Sequence, residues 1–531
     1  MRIACKVIIC FSLIWGGFVK ASPNLFRLSN GHSVFVNLSK KTNTPVSNSI
    51  ILVSNAKELK SAFSAAKPGD TIVMKDGIWH DVIIDFNATA NSKASITLRA
   101  QTSGNVILNG NSMLTFSKPY LIVEGLFFKD GALNKQNAVI SFDSDNCRVS
   151  NTAILNYNPT DFLKNYYWIY FNGSHNRLDH CFFKGKSNMN PVLQNAEENA
   201  RYNKVDRCYI KDIPYVPNAN GREIFRIFGY GHADQPGNDG AYFTIEYNLF
   251  DHAHGEGTEI VSLKSNYDTV RFNTVVSSRG GLVGRRGKFN TFEGNIVLGQ
   301  GQEGSTGIRV AGSNHRVINN YIADVAEDGL RLITGEYYEK SLTTNFAPKK
   351  KDLPKYLQVQ NGYFAHNTIV NCGGYGIDIG YSYKAQWPGL QMVLLPENNR
   401  LVDNIVYNCR KNVINITVPD KNPPLDFFNF KSNYFEGNIV FGRSALNRYL
   451  PTEIKTIDPL LKLNKDGLYH LQPNSPVYDK GARTEANQGN GDKPQEKNDV
   501  PDATMSILHP LNAYEVGPDW IIKRTKSGEK I

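Results

Sequence analysis

The chain has 531 residues, 59 Lys and Arg against 49 Asp and Glu, a formal balance of +10, and seven cysteines. The basic excess favours a polyanionic partner without naming one, and nothing in the sequence points to nucleic acid. The cysteine spacing excludes zinc ribbons and CxxC redox motifs.

Residues 1–21 combine a basic start (Arg2, Lys6), an apolar run from Val7 to Val19 and a small-residue exit at Ala21-Ser22. They read as a secretory signal peptide, too short to span a membrane. The predicted location is therefore exported, in the periplasm, at the cell surface or in the medium. Removal of this segment takes Arg2, Lys6 and Lys20 with it and lowers the balance to about +7. Cys147, Cys181, Cys208, Cys372 and Cys409 remain, an odd number that argues against a disulfide framework. Cys372 and Cys409 each follow a repeated asparagine by five residues and are expected to stack as buried thiols, a disulfide between them being the alternative.

Next in the chain, Ala56–Ala66 has helical apolar periodicity and is expected to cover the open edge of a sheet. A first strand-rich coil follows at Gly69–Trp79. From there the frame hydrophobic-x-hydrophobic-x-Asn-x-hydrophobic recurs, with Asn151 opening the series and Asn248, Asn273, Asn295, Asn320, Asn367, Asn404 and Asn438 continuing it. The steps from Asn248 to Asn320 are 25, 22 and 25 residues, the length of one coil of a β-solenoid, which must stack to bury its apolar face. Cys181 and Cys208 replace Asn in two coils, as small buried residues can. Stacked asparagines form an amide ladder at the strand spacing of about 4.8 Å, so they are read as structural.

The predicted fold is all-β, a single-stranded right-handed parallel β-helix with a short N-terminal capping helix. One catalytic domain is expected over residues 22–455, with 456–531 as a C-terminal cap and tail of the same domain, in a monomer. Loops at Gly231–Gly240 and Gly335–Lys355 interrupt the rhythm and are expected to shape the ends of a cleft. The charged loop Thr484–Asp499 is expected to be mobile.

Four stretches carry the chemistry: Asn220-Gly-Arg-Glu-Ile-Phe-Arg226, Glu256-Gly-Thr-Glu259-Ile-Val-Ser-Leu-Lys264, Gly281-Leu-Val-Gly-Arg285-Arg286 and Gly307-Ile-Arg309. Lys264, Arg285 and Arg309 precede their ladder asparagines by nine, ten and eleven residues. With turn lengths free to vary, this spacing places all three on one face of consecutive coils. Cations that close call for a bound anion, and crowding disfavours a protonated lysine, making Lys264 a candidate base. Glu259 and Asn220 offer hard oxygen ligands of the kind Ca²⁺ takes. The bland readings, solvated cations and surface or turn Glu and Asn, stay open at this point. His252 and His254 read as ordinary strand or turn histidines.

These stretches, with Asn176-Arg-Leu-Asp-His-Cys-Phe-Phe-Lys-Gly-Lys186, resemble polysaccharide lyase family six, which contains alginate lyases and chondroitinase B. The likeness runs from Leu52 to near Lys480. It implies β-elimination on a uronate glycan, most simply alginate, with Lys264 as base and Arg285 as acid, and Arg226 and Arg309 binding substrate. The family carries two glutamates one residue apart before the lysine; here Glu259 matches the second, Gly257 occupies the first, and Glu256 is displaced by one. A Ca²⁺ site would draw on Asn220, Glu259 and Glu256. Arg286 stands where the family commonly has histidine, and is expected to add a fixed cation for the substrate carboxylate. The alternatives are a dermatan sulfate or chondroitin lyase of the same family and a non-catalytic glycan-binding β-helix. Polygalacturonase-like hydrolysis needs clustered aspartates, which these stretches lack.

Overall fold

A computed structural model describes residues 48–529 apart from 136, 197–199, 230, 233–234, 237–238, 339–354, 385–389, 419–430, 443–450 and 478–508. The leader expected at 1–21 and the loop at Thr484–Asp499 fall outside the described residues, as do parts of the two loops expected at Gly231–Gly240 and Gly335–Lys355. Three long parallel sheets make up the molecule, and the chain visits each once per coil. The first sheet holds 14 strands from Ile50–Val53 to Tyr434–Glu436, the second 14 from Gly77–His80 to Lys455–Thr456, and the third 12 from Ile83–Phe86 to Ile414–Ile416. This is the predicted parallel β-helix.

The N-terminal helix forms at Ala56–Ala65, capped by Asn55, whose side chain accepts from the Glu58 amide. It buries Leu59, Ala62 and Phe63 against the first coils. In the interior, each ladder asparagine from Asn248 to Asn404 donates from both its backbone amide and Nδ2 to Oδ1 of the next, at 2.8–3.1 Å. Those groups would otherwise be buried without partners. Cys208 joins the ladder through its amide, which donates to Asn248. Asn151 does not open the series. It occupies the preceding left-handed position (φ 52°), and Thr152 stands in line with Cys181, because strand pairing sets Ala153 opposite Phe182.

At that corner an L-residue accepts a strained φ so that the next side chain can turn inward. A second inward ladder at another corner links Asp268, Asn290 and His315. Beside it, the left-handed residues His175, Tyr202, Tyr242, Tyr267 and Phe289 stack in one column 4.8–5.0 Å apart. Ring stacking of about 0.5–1.5 kcal/mol per pair offsets much of the roughly 1–2 kcal/mol cost of each left-handed residue. All five predicted cysteines are buried and free.

The described part of the tail packs along a flank of the coils. Leu468 of the hairpin Leu461–Leu463/Tyr469–Leu471 is buried with Ile296, Tyr321 and Val370 on the second sheet. Further on, Leu511 reaches Thr274, Gly517 reaches Arg207, and Trp520 in the helix Asp519–Lys526 donates to the Asn151 carbonyl. The strap thus runs back toward the N-terminal coils. Gly104 admits the Trp520 ring, since a Cβ there would meet it at 2.5 Å.

Candidate active site

The outer face of the third sheet carries the predicted site. Gln194, Arg226, Ser262, Val283, Arg309 and Arg331 lie directly opposite one another on successive coils. Lys264 lies two residues further along its strand, between Phe228 and Arg286. The offsets of nine and eleven to the ladder asparagines are therefore real and do not come from variable turns: Lys264 and Arg309 occupy different columns. Leu263 pairs with Gly284 and Lys264 with Arg286, so Arg285 is the extra residue of a β-bulge. Such a bulge re-aims a side chain, and here it sends Arg285 toward Glu259, with Nε 3.6 Å from Oε1.

The crowding expected among the cations is relieved by carboxylates set between them. Glu223, Glu256 and Glu259 each bring an oxygen within 4.8 Å of the other two. Glu223 accepts from Lys264 Nζ at 2.8 Å and from Arg226 at 3.1 Å. Burial alone would raise its pKa, but those two charges outweigh burial and hold it below the usual carboxylate range. Glu259 bonds Arg309 and the Ser262 hydroxyl. Glu256 accepts from the Gly221 and Arg222 amides and from Thr258. Burial and the neighbouring Glu223 and Glu259 charges push its pKa up.

Two buried cations support the cluster from behind. Arg222 donates to the carbonyls of Lys186, Asn188, Pro214 and Gly255, and burial pulls its pKa down to about 10 against the Glu256 charge. Lys186 Nζ is ringed by Asn188, Met189 and Asn190 oxygens at 2.7–3.1 Å. These bonds fix the turn that aims Glu223 inward.

Of the predicted residues, Lys264, Arg285, Arg226, Arg309, Glu256 and Glu259 surround one cluster, and Arg286 is the neighbour of Lys264 on the next coil. Asn220 is exposed in the turn before the left-handed Gly221, whose amide donates to Glu256. Glu223 takes the inward place. It was legible: Glu223-Ile-Phe-Arg-Ile-Phe228 aligns with Glu259-Ile-Val-Ser-Leu-Lys264, each glutamate three residues before the paired Arg226 and Ser262. His252 hydrogen-bonds Asp251 and His254 accepts from the Arg279 amide, as ordinary turn histidines do.

Three clustered carboxylates are the donor type that suits Ca²⁺, yet the details fit a resident ion poorly. Every one is already engaged by an ammonium, a guanidinium, amides or a hydroxyl, and their partners Lys264, Arg226, Arg285 and Arg309 bring four formal positive charges against three negative. At Gly257 the backbone is left-handed (φ +84°), and a Cβ would lie 2.6 Å from the Tyr215 ring. Tyr215 itself stacks on Arg279 at 4.1 Å. A glutamate there would strain the backbone and need the exposed Tyr215 ring to shift.

The Chondroitinase B family model matches residues 53–460. The structure is similar to that of the PL6 family polysaccharide lyase Pedsa3628 from Pseudopedobacter saltans, with 43% identity over 88% of this chain and 99% of that one, at a TM-score of 0.73. It is also similar to the PL6 family alginate lyase AlyGC in its R241A mutant form, at 25% identity and a TM-score of 0.71, covering 89% of this chain and 59% of that one. A third likeness is to a mannuronic acid specific family 6 lyase from human gut microbiota, at 25% identity and a TM-score of 0.64, covering 77% of this chain and 91% of that one. Among curated protein sequences none matches. With the model match spanning most of its length, this chain belongs to the chondroitinase B family, the polysaccharide lyases of family six.

Proposed function

We propose that the protein cleaves a uronate-containing polysaccharide, with alginate as substrate, by β-elimination at the Glu223/Glu256/Glu259 cluster. The observation that carries this reading is the meeting of an amine and a bulge-projected guanidinium at one carboxylate cluster, Lys264 through Glu223 and Arg285 through Glu259. Alginate is favoured because two of the similar structures are an alginate lyase and a mannuronic acid specific lyase. The Chondroitinase B description of the family model favours dermatan sulfate as the second reading. An exported leader at residues 1–21 would bring the enzyme to such a polymer.

In this mechanism Arg309 and Arg226, released from Glu259 and Glu223, receive the substrate carboxylate and stabilise the negative charge that builds on it. Lys264 Nζ, having first released a proton from the ammonium that bonds Glu223, takes the C5 proton. The C5–H electron pair becomes the C4=C5 π bond, the C4–O bond breaks with its pair on oxygen, and Arg285 supplies that oxygen with a proton. The products are a new reducing end and an unsaturated uronate. Fixed cations hold the substrate carboxylate, and no step is routed through a metal ion. Arg286 adds to the same positive field. The test is ultraviolet absorbance of the conjugated uronate on mixing the protein with alginate, dermatan sulfate and polygalacturonate. Absorbance should rise with alginate; binding without a rise on any of the three would point to a glycan-binding module.

A further inference from the structure

Among the described residues, Arg285 is the one cation of the cluster held from outside the third sheet. Its Nη1 donates to the Lys355 carbonyl at 3.0 Å, and its guanidinium carbon lies 3.7 Å from the centroid of the Tyr356 ring. Neither residue belongs to the coil that carries Arg285. Both sit 70 or so positions on, in a segment anchored by Glu336: the buried Glu336 carboxylate accepts from the amides of Lys355 and Tyr356, and the Glu336 amide donates to the Tyr356 carbonyl at 2.8 Å. Glu336 thus fixes a short backbone segment, and that segment fixes the guanidinium.

Two other arginines bordering this face are stacked on tyrosines, Arg279 on Tyr215 and Arg331 on Tyr381. Both of these also pair with carboxylates of their own, Arg279 with Glu303 and Arg331 with Asp328. Arg285 differs in being flanked by the carboxylate cluster on one side and a ring on the other, with Glu259 at 3.6 Å. A guanidinium stacks flat on an aromatic face and so loses less freedom when it then donates a hydrogen bond. An unsupported arginine on a bulge would sample many rotamers.

We propose that Tyr356, set by Glu336, is a positioning residue for the reaction: it holds the plane of Arg285 so that one N–H points at the departing glycosidic oxygen. This rests on the function proposed above, with Arg285 as the acid. Tyr356 touches the guanidinium by its ring face, so the ring is needed and the hydroxyl is not. A displacement of about 1 Å in such a group costs on the order of 10²-fold in rate.

The experiment compares Tyr356→Phe, Tyr356→Ala and Glu336→Gln with the parent on alginate, together with Arg285→Lys and the double variant Arg285→Lys/Tyr356→Ala. Tyr356 is only partly buried, so its truncation should leave the thermal midpoint unchanged, which circular dichroism checks. We expect Tyr356→Phe to keep kcat within about twofold. Tyr356→Ala should lose about tenfold to a hundredfold in kcat with KM nearly unchanged, and Glu336→Gln should show a smaller loss of the same kind. In the Arg285→Lys background the alanine should cost nothing further. A full additional loss there, or a Tyr356→Ala effect confined to KM, overturns the positioning role. If Arg285→Lys itself leaves kcat intact, the assignment of the acid fails instead, and the two failures are told apart.

Discussion

Inside the solenoid the in-register column from Asn248 to Asn438 repeats one residue type. Outside, the column Gln194, Arg226, Ser262, Val283, Arg309, Arg331 changes residue type along its length, with arginine at three of its six positions. The same coil spacing governs both. Within, identical amides satisfy each other and the repeat is its own partner. On the third sheet, equal charges at that spacing would repel, so glutamates at a constant offset interleave with the cations, and a bulge adds Arg285. A repeating scaffold thus makes an asymmetric site by varying the outward residue and breaking register at the bulge that carries Arg285.

The largest expected effect falls on the outer column. Lys264→Ala should lower kcat on the uronate polymer by about 10³-fold, within the range for loss of a general base, while circular dichroism shows an intact fold. Retention of more than a tenth of the activity would remove Lys264 from its role. Glu259→Gln leaves Arg309 and Arg285 without their shared anchor and should cost about 10–100-fold in kcat/KM, since charge-assisted pairs orient as well as bind. Initial-rate kinetics checks it; an unchanged kcat/KM would make that pairing incidental.

Breaking the inner column should do the reverse. Asn295→Ala takes the side-chain acceptor from the Asn273 backbone amide and the side-chain donor from the Val270 carbonyl in a buried site. Urea unfolding should show a loss of about 2–4 kcal/mol, with kcat per folded molecule unchanged. In the second inner ladder Asp268 stands in an asparagine-like position, and burial pushes its carboxyl up to about 8 despite bonds from Phe243 and Ser265. Unfolded, it ionises near 3.9. Between about pH 4 and 8 the folded protein therefore holds a proton that the unfolded chain has lost, and stability falls as pH rises through that window. Asp268→Asn should flatten this slope and stabilise the protein at pH 8 by roughly 2–4 kcal/mol; equal slopes in the two proteins would deny it. The smallest effect is a null. Exhaustive chelation should change neither the thermal midpoint nor kcat by more than about twofold, and a calcium-reversible collapse of either would restore the metal site.

The inner ladder was legible because it repeats: seven asparagines at coil spacing announce a solenoid, and only Asn151 misled, since it holds the strained corner one residue before the inward position. The site was legible in its residue types and less so in its register. Lys264 and Arg285 both reach one carboxylate cluster, while Arg309 stands in a column two residues from that of Lys264, an offset that free turn lengths mask in the sequence. Glu223 and Glu259 share one offset from their paired residues Arg226 and Ser262, a match present in the sequence beside the more conspicuous oxygen donor Asn220. Tyr356 carries no sequence signal, because its link to Arg285 is made by a segment 71 positions away.

The central claim is that an amine and a guanidinium on neighbouring coils break a uronate chain by elimination. Digestion of alginate in H₂¹⁸O, followed by mass spectrometry of the oligosaccharides, tests it most directly. The account predicts products with an unsaturated terminal uronate and no ¹⁸O built into the cleaved bond. Saturated products carrying ¹⁸O would show that water, and not Lys264, makes the cut.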